Sequence, residues 1–249
     1  MPNSHVSPQP AAPCLCHTPW CAANITLHQF AESLGMAIDV KDDLTRTHSQ
    51  EVAVMAHLIA KTMGLPDARC EAIHIAGHLH DIGKLGIPDL ILKKEGPLTS
   101  KEWEHMRKHP AMGYAILKPV QALVQGERIA DMVLAHHERF DGSGYPHGLS
   151  GNNIPLGARI IAVADAMNAM IRNRHYRQGG SWETAVTEIL RCSGTHFDPT
   201  VVLAFLSVEQ QAGRILESEK SALLPKSFPP DSPVQLPHRK DAMQAAVAF

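Results

Sequence analysis

Apolar and polar positions follow the period of an α-helix along most of this chain. From Glu51 to Met63 the apolar side chains recur every three or four residues, and Gly64 followed by Pro66 predicts the end of that helix. A second helix is predicted over about residues 68–80. Further helices are predicted at 111–118, 125–138, 156–173, 182–192 and 199–207. Because no alternating run with hairpin residues occurs, the fold class is predicted to be all-α.

Polar residues mark several of the predicted helix ends. Thr99 with Glu102 forms a capping box that opens a helix ending before Pro110. Ser181 and Asp198 are good N-cap residues for the last two helices.

Proline content divides the chain into three parts. Residues 1–24 carry five prolines and no apolar period, so they are predicted to be an irregular leader. Residues 25–210 form the predicted helical domain, and residues 211–249 a helix remnant with a flexible Pro-rich tail. Cys14, Cys16 and Cys21 in the leader could bind a metal or an iron–sulfur cluster. Their spacing matches no standard site and favours incidental thiols.

The charge balance excludes one class of partner. The 249 residues carry a formal net charge of -2 and a pI near 6.8, which gives no basic field for binding a nucleic acid polymer. No stretch approaches the roughly 20 apolar residues that span a bilayer, and no signal-peptide pattern opens the chain. We therefore expect a cytoplasmic protein without a membrane span.

Histidine is unusually frequent, with 16 residues, and several stand at predicted helix ends. His80-Asp81 lies where a helix runs into a glycine-containing turn, and imidazole with carboxylate suits a divalent ion. Asp165 lies in an apolar helix, where a carboxylate is costly to bury unless it is paired or binds metal. The candidate ligands are His48, His80, Asp81, His109, His136, His137 and Asp165. Each alone is better explained as a capped, solvated or hydrogen-bonded residue, whereas together they indicate a site for two ions.

Two motifs carry a family resemblance. HDIGK at 80–84 and HHERFDGSGYP at 136–146 resemble the HD-GYP family, a branch of the HD hydrolases, over roughly residues 28–208. The resemblance implies that residues 25–210 are an HD-GYP catalytic domain, a compact multi-helix bundle with a binuclear metal site in its core. It implies a phosphodiesterase that hydrolyses cyclic di-GMP to the linear dinucleotide pGpG, and it leaves further hydrolysis to GMP open.

The resemblance also implies a metal centre of defined composition. Its two ligand sets share one carboxylate: His48, His80, Asp81 and Asp165 for one ion, and Asp81, His109, His136 and His137 for the other. Some relatives carry a glutamate for a third ion at the position of Leu44, so two ions are expected, with iron or manganese as the metals. A hydroxide bridging the ions would attack the phosphorus in line.

Substrate contacts and partners follow from the same resemblance. Asp81 and Lys84 would be catalytic, and Lys84, Tyr145, Arg174 and Arg177 would bind substrate. Lys84 would pair with a phosphate oxygen or orient the nucleophile, and an arginine can pair with phosphate or stack on a base. Besides cyclic di-GMP, expected partners are diguanylate cyclase (GGDEF) domains or an upstream signalling protein. Homodimer formation is left open.

Three residues depart from the family pattern. Asn168, Asn173 and His175 stand where relatives usually have aspartate, aspartate and proline, respectively. They bring substrate preference, loop rigidity and rate into question more than metal binding, because none is a predicted ligand. Two alternatives therefore stay open: a catalytically weak module that binds cyclic di-GMP or a protein partner, or an HD hydrolase of another cyclic dinucleotide or nucleotide.

A second group of histidines lies outside the predicted ligands. His74 and His78 stand four residues apart on one predicted helix, a spacing that could bind zinc, and His57 lies on another. No catalytic base accompanies the pair, so the sequence favours a surface position or a supporting role beside the metal ligands.

Overall fold

A computed structural model describes residues 27–42, 47–172 and 179–223, and helices dominate each of these segments. The α-helices are α1 (Leu27–Lys41), α2 (His48–Thr62), α3 (Asp67–Leu79), α4 (Asp89–Leu92), α5 (Ser100–Met106), α6 (His109–Leu117), α7 (Gln121–Val124), α8 (Ile129–Ala135), α9 (Leu156–Ile171), α10 (Trp182–Arg191) and α11 (Pro199–Leu223). Two short 3-10 helices lie at Ile82–Gly86 and Gly151–Asn153. Within these segments the strand-like pairing is limited to an isolated bridge between Ser193 and Phe197, so the prediction of an all-α fold is confirmed.

The predicted capping residues begin their helices as expected. The Thr99 side chain accepts a hydrogen bond from the Glu102 backbone N–H, and the Glu102 carboxylate accepts one from the Thr99 N–H. Ser181 likewise accepts a hydrogen bond from the backbone N–H of Thr184.

Two predicted helix boundaries are wrong. The segment predicted as one helix over 125–138 is interrupted, because Gly126 and Arg128 have φ angles of 62° and 55° in the left-handed region. Helix α8 therefore starts only at Ile129. The last helix continues past the predicted end at residue 207 and reaches Leu223.

The core is formed where α2, α3 and α9 pack together. Val52, Ile73 and Ile160, one from each helix, have no exposed surface. Gly77 allows α2 and α3 to approach closely, because a Cβ atom there would lie 2.7 Å from the Cα of Ala53. Among the candidate ligands, His48, Asp165 and, just past the end of α3, His80 are positioned by these helices.

A second close approach joins the 3-10 helix Ile82–Gly86 to the start of α6. A Cβ atom on Gly83 would lie 1.8 Å from the carbonyl oxygen of His109, so a larger residue would force the two segments apart. This packing brings Asp81, just before Ile82, close to His109.

Backbone contacts divide the chain into two units, Met1–Glu209 and Gln210–Phe249. The side chains of the candidate site all belong to the first unit. Among the described residues, no helix is both long enough and apolar enough to cross a membrane.

Candidate metal centre

The structure brings the seven predicted ligand side chains together in two groups around Asp81. In the first group, ligand atoms of His48, His80 and Asp165 lie within 4.8 Å of one another. In the second, ligand atoms of His109, His136 and His137 meet the same limit. The groups draw on the starts of α2 and α6, the ends of α3 and α8, and the interior of α9.

Asp81 lies between the two groups and turns one carboxylate oxygen toward each. Its Oδ2 is 3.8 Å from Nε2 of His48 and 3.3 Å from Nε2 of His80. Its Oδ1 is 3.4 Å from Nε2 of His109. A carboxylate in this position can contribute an oxygen to a cation in either group.

Three of the histidines are oriented by backbone carbonyl groups close before them in the chain. Nδ1 of His80 lies 2.7 Å from the Gly77 carbonyl oxygen, and His109 and His136 make the same contact with the carbonyl three residues before them, at 2.8 and 2.7 Å. A carbonyl only accepts hydrogen bonds, so Nδ1 carries the proton in each ring. In the neutral ring the lone pair is then on Nε2, the nitrogen that faces Asp81 in His80 and His109.

His48 is oriented by side chains instead. Its Nδ1 lies 2.8 Å from Oδ1 of Asn168, whose amide nitrogen donates to Glu51 at 2.5 Å. Arg172 pairs with the same Glu51 carboxylate at 2.8 Å and donates to Thr47 at 2.6 Å. Asn168 therefore does more than depart from the family pattern: it contacts a predicted ligand directly.

Burial and charge set the protonation of the centre. Burial lowers the pKa of His48 to about 4 and that of His136 to about 3, and it also lowers the pKa values of His109 and His137. These four imidazoles are therefore neutral near pH 7, the form that binds a metal.

His80 differs from the other four histidines in its protonation. His48 also lies near both carboxylates, but its Nε2 is 3.8 Å from Oδ2 of Asp81, whereas Nε2 of His80 is 3.3 Å from it. Burial opposes its protonation, but the charges of Asp81 and Asp165 outweigh burial and raise the pKa of His80 to about 9. Asp81 is buried too, yet Lys84 and His80 hold its pKa well below the usual range. Without a metal, a proton on His80 thus balances part of the carboxylate charge that a bound cation would otherwise balance.

The fit of a metal ion rests on one polar atom in particular. Nε2 of His80 is buried, and although Oδ2 of Asp81 lies 3.3 Å away, the atom makes no well-aligned hydrogen bond among the described residues. A buried polar atom without a partner is costly, and a metal bond would satisfy it. The mixture of imidazole nitrogen and carboxylate oxygen around it suits a divalent transition ion.

Lys84 lies at the edge of the centre and bridges two aspartates. Its Nζ is 2.8 Å from Oδ2 of Asp81 and 2.5 Å from Oδ2 of Asp42, at the end of α1. Burial disfavours the ammonium, but these two carboxylates outweigh it and raise the Lys84 pKa above its ordinary value. Lys84 is therefore charged, with its side chain 15% exposed.

The loop of the second motif carries Tyr145 against the second histidine group. The Tyr145 ring centroid is 5.0 Å from that of His137, and the guanidinium carbon of Arg107 lies 5.2 Å from the Tyr145 ring centroid. That distance is within the range of a cation–π contact. Burial raises the pKa of Tyr145, so its hydroxyl stays protonated.

Glu138 and two glycines shape this loop. The buried Glu138 carboxylate accepts hydrogen bonds from the backbone N–H groups of His147, at 2.7 Å, and Leu149, at 3.0 Å. A Cβ atom on Gly144 would lie 2.3 Å from the backbone nitrogen of Arg139, and Gly142 has a φ of 84°. Both glycines and Glu138 belong to the HHERFDGSGYP motif, which by itself gives no role to Glu138.

Several predicted residues cannot be placed and several unpredicted ones belong to the site. Arg174, Arg177, Leu44, Asn173 and His175 lie outside the described residues. The residues that the sequence reasoning missed are Glu51, Arg172, Glu138 and Arg107. A signal existed for Glu51, since a carboxylate three residues after His48 on a helix shares its face. Arg107 has no comparable signal, because only the folded loop brings it to Tyr145.

Comparison with known proteins defines the family. The model of the HD domain family matches residues 32–201, which is more than half of the chain. The chain therefore belongs to the HD domain family. The resemblance to HD-GYP proteins noted from the two motifs is confirmed at this level.

Curated relatives extend this similarity. A cyclic di-GMP phosphodiesterase of Thermotoga maritima is 40% identical over 194 residues, covering 78% of this chain and 52% of the relative. The cyclic di-GMP phosphodiesterase response regulator RpfG of Xanthomonas campestris is 40% identical over 184 residues, covering 73% and 48%. The chain thus spans about half the length of these relatives.

Solved structures support the same fold. The crystal structure of a cyclic GMP-AMP-specific phosphodiesterase of Vibrio cholerae matches with a TM-score of 0.60 and 19% identity, covering 78% of this chain and 51% of that one. An HD-GYP-type protein of Bdellovibrio bacteriovorus matches with a TM-score of 0.54 and 16% identity, covering 74% and 61%. At these identities the likeness concerns the fold alone.

Proposed function

We propose that this chain is a divalent-metal-dependent phosphodiesterase that hydrolyses cyclic di-GMP. The observation that carries the proposal is the position of Asp81, whose two oxygens face different groups of histidines. A carboxylate so placed suits two cations that share one ligand. The names of the Thermotoga maritima and Xanthomonas campestris relatives support the substrate.

The proposed ligand sets are those that the resemblance implies. They are His48, His80, Asp81 and Asp165 for one ion, and Asp81, His109, His136 and His137 for the other. Iron and manganese both accept imidazole and carboxylate ligands. When bound, the ions would supply Lewis acidity and bring the pKa of a coordinated water toward neutrality.

The proposed reaction opens one phosphodiester bond of the cyclic dinucleotide. A water oxygen bonds to phosphorus, the bond from phosphorus to the 3′ oxygen breaks, and the 3′ oxygen takes up a proton. The product is linear pGpG, and a second cleavage of the same kind gives GMP. Lys84 would hold positive charge beside a phosphate oxygen, since its ammonium is already fixed at the edge of the centre by Asp81 and Asp42.

Tyr145 is the proposed nucleotide contact within the described residues. Its ring lies beside His137 and is backed by Arg107. A base or ribose held against Tyr145 would be next to the second histidine group. Arg174 and Arg177 remain proposed contacts to phosphate and guanine, and residues 25–210 the proposed catalytic domain.

A second substrate is favoured by a specific relative. The 3′3′-cGAMP-specific phosphodiesterase 2 of Vibrio cholerae is 36% identical over 178 residues, covering 71% of this chain and 34% of the relative. The two cyclic dinucleotides differ in one base, so the base contacts rather than the metal centre would select between them.

A substrate panel tests the proposal. The purified chain, loaded anaerobically with Fe²⁺ or Mn²⁺, is incubated with cyclic di-GMP, 3′3′-cGAMP or GMP, and the products are separated by anion exchange. We expect pGpG to accumulate as cyclic di-GMP disappears, faster than any loss of 3′3′-cGAMP. Absence of turnover with every divalent ion would contradict the proposal, and binding without turnover would favour the interaction module.

A further inference from the structure

A third group of histidines lies apart from the two groups around Asp81. His74 and His78 stand one turn apart on α3, and His28 comes from the first turn of α1. One ligand nitrogen from each lies within 4.8 Å of the other two. The prediction left His74 and His78 either a surface position or a supporting role beside the metal ligands. The surface position is wrong, because they are only 9% and 2% exposed.

The spacing of these nitrogens fits a tetrahedral metal ion. Nε2 of His74 and Nε2 of His78 are 3.1 Å apart. Two nitrogens bound to one zinc ion at its usual bond length are about 3.3 Å apart in tetrahedral geometry. Without a metal this contact is a hydrogen bond in which one ring donates its N–H and the other accepts it. A shared metal would replace it, with the N–H of each ring on Nδ1 and both Nε2 lone pairs on the ion.

A carboxylate supports the half-buried member of the group. Oε1 of Glu71, on α3, lies 2.8 Å from Nδ1 of His28. A carboxylate on one imidazole nitrogen orients a metal-binding histidine and makes its other nitrogen a stronger ligand. The His28 and Glu71 side chains are 37% and 46% exposed, so an ion can reach the group from solvent.

His57 provides a comparison within the same region. Its ring centroid lies 5.4 Å from that of His74, but its Nδ1 lies 3.3 Å from the Cys70 carbonyl oxygen. His57 is not among the three histidines whose ligand atoms converge. It therefore shares the surroundings of the group without belonging to it.

We propose that His28, His74 and His78 form a separate zinc site that joins α1 to α3. Three imidazoles without a carboxylate among them suit zinc, with water completing the tetrahedron. The ion would fix the start of α1 on the helix that leads to His80 and Asp81. The end of α1 is already tied to the centre through Asp42 and Lys84. The proposal does not depend on the reaction at that centre.

Counting bound zinc tests this proposal. Full-length chain freed of metal by a chelator is dialysed against Zn²⁺, and zinc per chain is measured by mass spectrometry for the wild type, His28→Ala and His57→Ala. We expect His28→Ala to bind one zinc fewer than the wild type and His57→Ala to bind the same number. An unchanged count in His28→Ala, or an equal loss in His57→Ala, would overturn the site.

Two further measurements separate a lost site from a lost fold. Glu71→Gln keeps all three histidines, so it should retain the zinc but weaken its affinity by about 10–100-fold, the usual effect of removing a supporting carboxylate. With Mn²⁺, His28→Ala should turn over cyclic di-GMP within about twofold of the wild type. If the chain proves inactive on cyclic di-GMP, the zinc count still decides the proposal. Unchanged zinc affinity in Glu71→Gln would contradict the role given to the carboxylate.

Discussion

The histidines around Asp81 and the group of His28, His74 and His78 are arranged in different ways. Around Asp81, backbone carbonyls or Asn168 hold Nδ1 of four imidazoles, and two carboxylates lie among the ligand atoms. In the group of His28, His74 and His78, the Glu71 carboxylate contacts Nδ1 of His28 and not the ligand nitrogens of His74 and His78. The first arrangement offers oxygen and nitrogen to a cation, and the second offers nitrogen alone.

We expect this difference to give the two groups different metals. A mixed set of imidazole and carboxylate accepts iron or manganese, whereas imidazoles alone suit zinc. The two groups also share α1, because His28 stands near its start while Asp42, just after its end, holds Lys84 beside Asp81. Substitutions that affect one group and spare the other therefore test the comparison.

Asp81→Ala should produce the largest effect. Its removal takes away the carboxylate that faces both histidine groups, so we expect turnover to fall by roughly 1,000-fold or more. Manganese retention after gel filtration should be lost, while one zinc per chain remains at His28, His74 and His78. Asp89→Ala, which removes an exposed aspartate paired with Lys41, is the control and should behave as the wild type. An active Asp81→Ala protein would refute the bridging role.

Asp39→Asn should change how stability depends on pH. The buried Asp39, on α1, accepts hydrogen bonds from the Ser49 N–H and hydroxyl, but burial outweighs them and raises its pKa to about 6. Because the folded state favours the protonated acid, the stability from this group is complete below pH 3.8 and is lost as pH rises through about 6.

Denaturation of the metal-free protein at a series of pH values measures this effect. Between pH 4 and 7 the wild type should lose roughly 2–3 kcal/mol of unfolding free energy relative to Asp39→Asn, as expected for a shift of about two pKa units. A difference between the two proteins that stays constant across this range would show that Asp39 does not titrate in it.

Asn168→Ala should weaken the centre more mildly. His48 loses the acceptor for its Nδ1, so the affinity for manganese should fall by about 10–100-fold. Zinc binding at His28, His74 and His78 should be unchanged. Glu51 also loses a donor, so the folded state is checked by circular dichroism. Equal affinity in the variant and the wild type, measured by chelator competition, would separate Asn168 from the metal ligands.

Sequence periodicity predicts most of the helices, because each helix that packs on the core needs an apolar face. It fails where a single backbone conformation decides the outcome. Arg128 has a left-handed φ that few L-residues adopt, so nothing in the apolar pattern marks the break before α8. The close contact of Gly83 with His109 joins segments far apart in the chain, and no local pattern encodes it.

The residues of the metal centre likewise fall into those that the sequence predicts and those that it does not. The motifs predict the residues that face Asp81, because metal chemistry restricts those positions to a few residue types. Arg172 contacts Glu51 and Thr47, which are distant in sequence, so its role becomes visible only in the folded chain. Glu138 accepts hydrogen bonds from backbone N–H groups of its own loop, which no residue type marks. His28 is the extreme case, since the pair His74 and His78 gains its third member from another helix.

Arg107→Met should have the smallest effect and should separate substrate binding from metal binding. The guanidinium over the Tyr145 ring is exposed, and such contacts contribute about 0.5–1 kcal/mol. If the contact fixes Tyr145 for the nucleotide, KM for cyclic di-GMP should rise about 2–5-fold while kcat and both metal contents stay unchanged. Arg128→Met, at an exposed arginine beside Asp131, is the matched control. A fall in kcat with constant KM would instead place Arg107 in the chemical step, and an effect on manganese content would mean that the loop supports the second histidine group.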